Sequence, residues 1–346
     1  ANTIGCRGVA IGYNAMGANT DGNYNTAVGR SALAANTTGD NNVSVGYSSL
    51  QNSTTSSGNS SVGVESMFLN TTGANNTAMG LCSLRANTTA SNNTAVGVSA
   101  LFSNTTGEVN TAVGSASMFT NTTGYGNTAV GKNSLYTNNG NNNTAVGHEA
   151  LELNTTGASN TAVGRESLTA NTTGASNIAL GYRSLSFNTT GCQNVTIGAE
   201  AIRLNTTGNF NNAIGFNALY NNTTGGNNVA IGLCSLFANT TGSQNSALGY
   251  FALDAQTTST GNTAMGQESL TVLTTGSYNS GFGWLSGVDV TTGSNNSFLG
   301  RDAGRTGSPG GSISTANDTI VLGDEHVTNL FCADTSISSS DQRDKT

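Results

Sequence analysis

Several residue types on which most folded domains rely are scarce in this 346-residue chain. Charged residues make up 8% of it and aromatic residues 6%, and it contains one proline, one tryptophan and two histidines. With 11 basic and 18 acidic residues and no basic cluster, the chain lacks the positive surface by which proteins bind nucleic acid. No apolar run approaches the length of a transmembrane helix and no signal peptide is visible, so we expect no membrane insertion.

The same scarcity limits the enzymatic chemistry that the chain could perform. With only His148 and His326, a histidine-based catalytic triad has little to draw on. No cluster of histidine, cysteine and aspartate has metal-site spacing, and no glycine-rich loop leads into a helix as phosphate-binding loops do. We therefore expect no enzyme activity, no cofactor and no metal. The five cysteines are expected to be free, half-buried thiols, with bridges between subunits as the alternative.

What the chain has in abundance is a short repeat. Neighbouring glycines of this repeat are 17 residues apart, except that Gly131 and Gly147 are 16 apart. A glycine closes an N-T-A-V-G-like pentapeptide at Gly12, Gly29, Gly46, Gly63, Gly80, Gly97, Gly114, Gly131, Gly147, Gly164, Gly181, Gly198, Gly215, Gly232, Gly249, Gly266, Gly283 and Gly300. Such a period is typical of one structural unit stacked on copies of itself. It predicts an all-β fold, a parallel β-solenoid (β-roll) of about eighteen coils over residues 1–300, and its exposed faces suit a homotrimeric fibre.

Positions within a coil are counted from its motif glycine, which is position 0. Positions −3 and −1 carry residues such as Val43 and Val45, with the small Ser44 between them at −2. This alternation predicts a strand, and we expect positions −3 and −1 to face inward. The small residues at −2, such as Ala27 and Ala95, would then let subunits approach one another closely around a threefold axis.

Three further positions complete the predicted coil. Position +4 is usually leucine, an expected second inward anchor in a second strand or short helical turn, and positions +7 to +10 often read N-T-T-G, a predicted left-handed turn. Asparagines at −4 would form a ladder. In the 16-residue coil the deletion falls in the turn, at residues 138–140, so no inward residue shifts. The N-T-T repeat also creates glycosylation sequons automatically, and their use would require a eukaryotic secretory host.

The two ends of the chain differ from the repeat. The chain opens in mid-coil on Ala1, so we expect a fragment or a processed product with more protein upstream. Residues 301–316 form a Gly- and Ser-rich connector. Residues 317–346 hold a last strand of related type, N-D-T-I-V-L-G, followed after an interval by S-S-D-Q-R-D-K-T.

Two resemblances follow from these residues. The 17-residue coils resemble the head repeats of trimeric autotransporter adhesins and of phage fibres. The segments N-D-T-I-V-L-G-D and S-D-Q-R-D-K resemble the strand before, and the first residues of, the endosialidase-type intramolecular chaperone. That resemblance implies a chaperone that trimerises the fibre and then cuts itself off at Ser340 with help from Lys345. The body of the chaperone is absent from this sequence, so we expect no cleavage here, and a polar tail is the alternative.

Two outward positions form the candidate binding surface. Position +1 is aromatic or basic in many coils, and subunit packing is the alternative to glycan contact there. The glycan-binding candidates are Tyr13, Tyr47, His148, Arg165, Tyr182 and Trp284. Position +2 carries Glu149, Glu166, Arg183 and Glu200 in consecutive coils. Carboxylates stacked ~5 Å apart would match a retaining glycosidase, but we favour a solvated ladder with Arg183 between Glu166 and Glu200.

These observations predict a structural and adhesive protein, a homotrimeric phage tail fibre or spike segment. It would lie outside the cell in a virion, join other virion tail proteins upstream and bind a host-surface polysaccharide or other receptor. The alternative is the head of a trimeric adhesin on a bacterial cell surface. An ice-binding solenoid is less favoured because the threonines at −3 are expected to point inward, and a polysaccharide-degrading tailspike would depend on Glu149 and Glu166.

Overall fold

The strands are short and recur once in every coil. The structure, a computed structural model, describes residues 7–308 and 311–328, so that Ser340 and Lys345 lie outside the described residues. Nineteen strands occur in chain order as β1 to β19: Val9–Ile11, Thr26–Val28, Val43–Val45, Ser60–Val62, Thr77–Met79, Thr94–Val96, Thr111–Val113, Thr128–Val130, Thr144–Val146, Thr161–Val163, Ile178–Leu180, Val195–Ile197, Asn212–Ile214, Val229–Ile231, Ser246–Leu248, Thr263–Met265, Ser280–Phe282, Ser297–Leu299 and Ile320–Leu322. Within these ranges there is no helix.

All nineteen strands belong to one parallel sheet in which each strand pairs with the next along the chain. The register is kept throughout, and even across the 16-residue coil Thr128 of β8 lies beside Thr144 of β9. At ~4.8 Å between neighbouring strands, the stack is roughly 85 Å long. The predicted all-β parallel solenoid is therefore confirmed.

Six positions of each coil face inward. In the coil of β6 they are all buried and are filled by Asn93, Ala95, Ala100, Leu101, Asn104 and Gly107. Leucine and alanine supply the apolar part of this interior, and two asparagines supply a polar part. The core is therefore a set of parallel columns, each built from one position of the repeat, that run the length of the stack.

The prediction that positions −3 and −1 face inward is wrong. In β7, Ala112 at −2 is fully buried, whereas Val113 at −1 is 36% exposed. Leucine at +4 already fills most of the space inside so small a coil, and a close-packed interior leaves room opposite it for only a small residue. The small residues at −2 thus belong to the core and not to a surface on which subunits meet.

The leucine at +4 is an inward anchor as predicted, but it lies neither in a second strand nor in a helical turn. Leu101 has a φ of 50° and Ser99, at +2, has a φ of 55°, so the chain turns through two left-handed residues. Gly97 at position 0 has a φ of 134°, which favours glycine. A Cβ on it would lie 2.5 Å from the carbonyl oxygen of Gly114 in the next coil.

The N-T-T-G segment forms a turn, although its asparagine and glycine are not the left-handed residues that the sequence predicts. Gly107 is required for a different reason, because a Cβ there would lie 2.3 Å from the carbonyl oxygen of Gly124. Asn104 is fully buried. Its Nδ2 donates to Oδ1 of Asn87 at 3.1 Å and to the carbonyl of Gly107 at 2.9 Å.

The predicted asparagine ladder at −4 is confirmed. Oδ1 of Asn25 accepts from the backbone N–H of Asn42 at 2.9 Å and from its Nδ2 at 3.1 Å. Nδ2 of Asn25 donates to the carbonyl of Gly39 at 2.7 Å. Since a buried polar group without a partner is costly, these bonds explain how an asparagine can repeat inside consecutive coils.

The 16-residue coil keeps its interior because a side chain replaces a missing backbone group. In most other coils the first two threonine N–H groups of the turn donate to a threonine carbonyl in the next coil, as Thr37 and Thr38 do to Thr54. Where the residue is deleted, Oδ1 of Asn139 accepts from Thr122 and Thr123 at 2.8 and 3.3 Å. Leu135 keeps its inward place at +4, as predicted, and Asn138 and Gly140 are buried as well.

The last coil reaches the same shape with a different core. Gly300 and Gly323 are 23 residues apart, and the N–H of Thr291 donates to the carbonyl of Ser314 as in a normal turn. Phe298 takes the small-residue position −2 and is fully buried. Glycine replaces leucine at +4, and a Cβ on Gly304 or Gly287 would lie 2.4 or 2.8 Å from the Phe298 ring. One phenylalanine thus occupies the space that leucines fill elsewhere.

Candidate functional site

The six glycan-binding candidates lie on one side of the stack at position +1, in three separate groups. At one end, the guanidinium of Arg30 lies between the rings of Tyr13 and Tyr47, at 5.9 and 5.8 Å from their centroids. At the other end, Arg301 lies 5.6 Å from the ring of Trp284. His148, Arg165 and Tyr182 occupy consecutive coils in the middle. The structure brings together only members of the same group.

The middle group is continuous with the charged residues at +2. Arg165 lies 5.9 Å and Arg183 5.0 Å from the ring centroid of Tyr182. Glu166 bonds to both arginines, with Oε2 accepting from Nε of Arg183 at 2.6 Å and Oε1 lying 2.6 Å from Nη2 of Arg165. The hydrogen bond from Arg183 is the main reason that the pKa of Glu166 lies below its ordinary value. Glu166 is consequently held as a carboxylate.

The other acidic residues at +2 have their own partners. Oε1 of Glu149 lies 3.6 Å from Nε2 of His148, and Oε1 of Glu200 lies 3.8 Å from Nη1 of Arg203. Arg183 therefore pairs with Glu166, while Glu200 pairs with an arginine of its own coil. The arrangement is a half-exposed ladder of ion pairs in which Glu166 is saturated by two cations, so it offers no free general acid at that residue.

The structure also shows an aromatic ladder at position +5, which was not among the candidates predicted from the sequence. Arg85 lies between Phe68 and Phe102, and Phe102, Phe119 and Tyr136 stack at centroid distances of 5.0 and 5.2 Å with nearly parallel rings. Because ring faces in such a stack cover one another, mainly ring edges are left for a ligand. The signal was present as aromatic residues recurring at the 17-residue spacing.

The strands present an apolar stripe to the outside, which we define as the side chains at position −1. Every member is apolar, and each is half-buried or exposed. The exposed fraction is 36% for Val113 and 59% for Ile11. The stripe consists of Ile11, Val28, Val45, Val62, Met79, Val96, Val113, Val130, Val146, Val163, Leu180, Ile197, Ile214, Ile231, Leu248, Met265, Phe282, Leu299 and Leu322. It follows one face of the sheet from β1 to β19.

Rows of threonine also face outward, contrary to the expectation that the threonines at −3 point inward. Those at −3, such as Thr111, are half-buried beside the apolar stripe. In the N-T-T-G turns the first threonine donates its hydroxyl to a carbonyl of the next coil, as Thr105 does to Thr122 at 3.0 Å. The second, such as Thr106, is exposed. The threonines at −3 therefore do not count against an ice-binding face.

The structure also bears on chemical modification of the chain. The asparagines of the N-T-T sequons, such as Asn104 and Asn154, are fully buried, so the folded coil gives no access to them. Cys82, Cys192 and Cys234 are free and half-buried, as expected. Burial raises the pKa of the Cys82 and Cys234 thiols, which lowers their reactivity.

Among residues 7–308 and 311–328, no cluster of three or more His, Cys, Asp and Glu side chains could hold a metal ion. No helix within those ranges is long and apolar enough to cross a membrane. Comparison with known protein families finds no family model that matches the chain, and comparison with curated proteins finds no match either.

Proposed function

We propose that this chain is part of a homotrimeric extracellular fibre, of the phage tail-fibre type, that binds cell-surface glycans. The observation that carries the proposal is the apolar stripe, whose side chains are half-buried or exposed along the whole sheet in a single chain. Soluble monomers rarely expose long continuous apolar patches, and such patches mark surfaces on which proteins meet. A second and third copy of the chain are the occupants that the repeat favours, because each would bring a stripe of the same length.

Rough magnitudes support association along the stripe. Covering a half-exposed valine or leucine stabilises by roughly 1 kcal/mol, and the sheet carries nineteen such positions. Their sum exceeds the association cost of about 4–15 kcal/mol. The number three rests on the resemblance of the repeats to those of trimeric fibres, and the closing segment favours a tail fibre over a bacterial adhesin head.

Glycan binding is assigned to position +1, two residues along the chain from the stripe. Tyr13, Tyr47, Tyr182 and Trp284 are between 39% and 79% exposed, and arginines lie over their rings. Aromatic rings and arginines provide stacking and hydrogen bonds for sugars. Three chains would repeat each group three times, so weak contacts would add up to firm attachment.

Sedimentation equilibrium of the native protein, without denaturant, tests the assembly. We expect a mass of three chains. A stable monomer would overturn the fibre proposal and the adhesin-head alternative together. Binding of the same material to a panel of surface polysaccharides tests adhesion, and we expect at least one polysaccharide to be retained.

A second candidate function, binding to ice, is favoured by one observation. The second threonine of the N-T-T-G turn is exposed in coil after coil, so hydroxyl and methyl groups form regular outward rows. The row is interrupted at the 16-residue coil, where residues 138–140 replace the four-residue turn. A freezing assay decides the matter, because thermal hysteresis would support this candidate and its absence at high protein concentration would remove it.

A further inference from the structure

We propose that a notch between the coils of β10 and β12 is a subsite for one neutral pyranose ring. This inference rests on the proposed glycan binding, and it adds to position +1 a separate site, with its sugar class and the residues that hold the sugar. The notch has a volume of ≈ 210 Å³ and is lined by residues that include Glu166, Ala170, Arg183, Ser186, Phe187 and Arg203. It is smaller than the roughly 300–1,000 Å³ typical of drug-sized ligands, and so it suits a single ring.

The notch exists because small side chains stand where neighbouring coils have large ones. At position +6 the consecutive residues are Leu153, Ala170, Phe187 and Leu204, so Ala170 leaves a gap between two large neighbours. At position +5, Ser186 is followed one coil later by Arg203. Alanine also occurs at +6 in other coils, such as Ala86 and Ala238, but there no phenylalanine follows at +6 in the next coil.

Two polar atoms in the notch lack partners. Ser186 is 7% exposed, and its Oγ forms no hydrogen bond within the described residues. Nε of Arg203 is likewise buried without a partner. One coil earlier, the hydroxyl of Thr169 at the same position donates to the carbonyl of Glu149 at 3.2 Å. Since buried polar groups are normally satisfied, these two are placed to bond to a ligand.

Phe187 provides the apolar wall that a sugar ring needs. Its side chain is 48% exposed, and the guanidinium of Arg203, from the next coil, lies 5.6 Å from its ring centroid. In the preceding coil the residue at the same position is the small Ala170. No aromatic ring stacks on Phe187 as the rings at +5 stack on one another, so we infer that one of its faces is open to a ligand. The C–H groups of a pyranose pack against such a face.

The charges of the notch favour a neutral sugar over an acidic one. Two carboxylates, Glu149 and Glu166, line it together with two guanidinium groups, Arg183 and Arg203. The two carboxylates balance the two guanidinium groups, so the lining carries no net positive charge to select a sugar carboxylate. Sugar hydroxyls, which both donate and accept, match this mixture of free donors and acceptors.

The test uses the native protein and the methyl glycosides of glucose, galactose and mannose, with methyl glucuronide as the acidic probe, by saturation-transfer NMR titration. Leucine occurs at +6 in the preceding coil and phenylalanine in the following one, so Ala170→Leu should fold normally and fill the notch. We expect it to weaken binding of the preferred neutral glycoside by at least about tenfold. Ala238→Leu, the same change at +6 in a distant coil, should leave binding unchanged.

A second variant separates ligand binding from a structural role. Ser186→Ala removes a hydroxyl that has no partner, so it should leave thermal stability unchanged or slightly higher while weakening glycoside binding. Loss of stability without a change in binding would overturn the assignment. So would Ala170→Leu protein that binds as tightly as the original, or tighter binding of the glucuronide than of every neutral glycoside.

The outcomes also separate this inference from the proposed function. If the native protein is retained by surface polysaccharides but binds none of the neutral glycosides, the subsite is wrong and the adhesive function stands. If it binds neither, both are wrong. Binding to glycosides and polysaccharides that Ala170→Leu weakens in parallel would support both.

Discussion

Inside the coil the residues repeat almost without change, whereas outside they differ from one coil to the next. Asparagine at −4 and leucine or methionine at +4 recur along the stack. Position +5, in contrast, carries Phe119, Tyr136, Glu152 and Thr169 in consecutive coils. The inward positions are constrained by contacts with identical residues above and below. The outward positions are free to carry charge, aromatic rings or a notch, so binding functions are expected there.

The apolar stripe is the exception among the outward positions, because its chemical character does not change from coil to coil. Position −1 faces outward, yet it holds an apolar residue in all nineteen strands. The size of the residue at −1 varies from coil to coil, from Val113 to Met265 and Phe282. The residue at the buried position −2 is nearly always small, as in Ala112, with Phe298 as the main exception. The side chains at −1 are thus always apolar but differ in size. A surface that can adapt tolerates such differences, which fits an interface between chains better than a coil interior.

The largest expected effect comes from the smallest change inside the coil. Gly114→Ala adds one methyl group where φ is 138° and where a Cβ would lie 2.5 Å from the carbonyl oxygen of Gly131. Strain and clash together should destabilise the surrounding coils by more than about 3 kcal/mol. Hydrogen exchange of the backbone amides in β6 to β8 would measure the loss.

Gly126→Asn is the matched control for that prediction. Gly126 has a φ of 67°, and the residue at the same position of other coils is often asparagine, such as Asn92 with a φ of 61°. The added side chain would face Oδ1 of Asn142, a flexible group that can move. We expect a change below about 1 kcal/mol. Equal destabilisation by the two variants would contradict the account of the motif glycine.

Much of this interior could be predicted from the sequence. The 17-residue spacing identifies the coil, and an asparagine that recurs at one position predicts the ladder that Asn25 and Asn42 form. The face of the strand that points inward could not be deduced from alternation alone, because a shift of one residue exchanges the two faces. The uniform small size at −2, with Phe298 balanced by Gly287 and Gly304, is the signal that decides it.

The outer surface was predicted less well, for a physical reason. Position +1 could be recognised because its residues are individually suited to binding. The notch depends instead on the sizes of neighbours in three coils, such as Ala170 beside Phe187, and on Ser186 lacking a partner. The hydrogen-bond partners of a particular side chain follow from rotamers and local packing, which a residue type does not specify.

The next effect is on assembly and should leave the coil folded. Val113 and Val130 lie in the apolar stripe, and Val113→Lys with Val130→Lys would place two charges in the proposed interface. A buried, unpaired charge is costly, so we expect the trimer to be lost while each chain keeps its β-sheet spectrum. Sedimentation and circular dichroism measure the two properties. Thr106→Lys with Thr173→Lys, at exposed turn positions, should remain trimeric.

A smaller effect concerns the coupling of interior positions at the end of the stack. Phe298→Ala should destabilise this end by about 3 kcal/mol, because it leaves a cavity. Gly287→Leu alone should also destabilise, since its Cβ would lie 2.8 Å from the Phe298 ring. In the double variant the new leucine can occupy space left by the Phe298 ring, so its cost should be below the sum of the single costs by at least about 1 kcal/mol. Additive costs in denaturant titrations would show that Phe298 does not replace leucine.

The smallest effects are electrostatic and lie outside, where two carboxyl groups should respond to pH with opposite signs. Bonding to Arg183, and to Arg165, lowers the pKa of Glu166, so its contribution to stability is present above its ordinary value of 4.5 and is lost as the pH falls through the folded-state pKa. Burial raises the pKa of Asp254, whose Oδ1 has no partner within the described residues. Its cost to stability therefore develops as the pH rises above its ordinary value of 3.8.

Two amide variants test these signs. Asp254→Asn should make the protein more stable at pH 7, and this gain should fade as the pH falls below the ordinary pKa of aspartate. Glu166→Gln should make it less stable at pH 7, and this loss should fade in acid. Because both groups lie at the surface of a coil, each difference should stay below about 1 kcal/mol. Melting temperatures measured from pH 3 to pH 7 would reveal the two trends, and trends of the same sign would contradict the contacts assigned to one of the two residues.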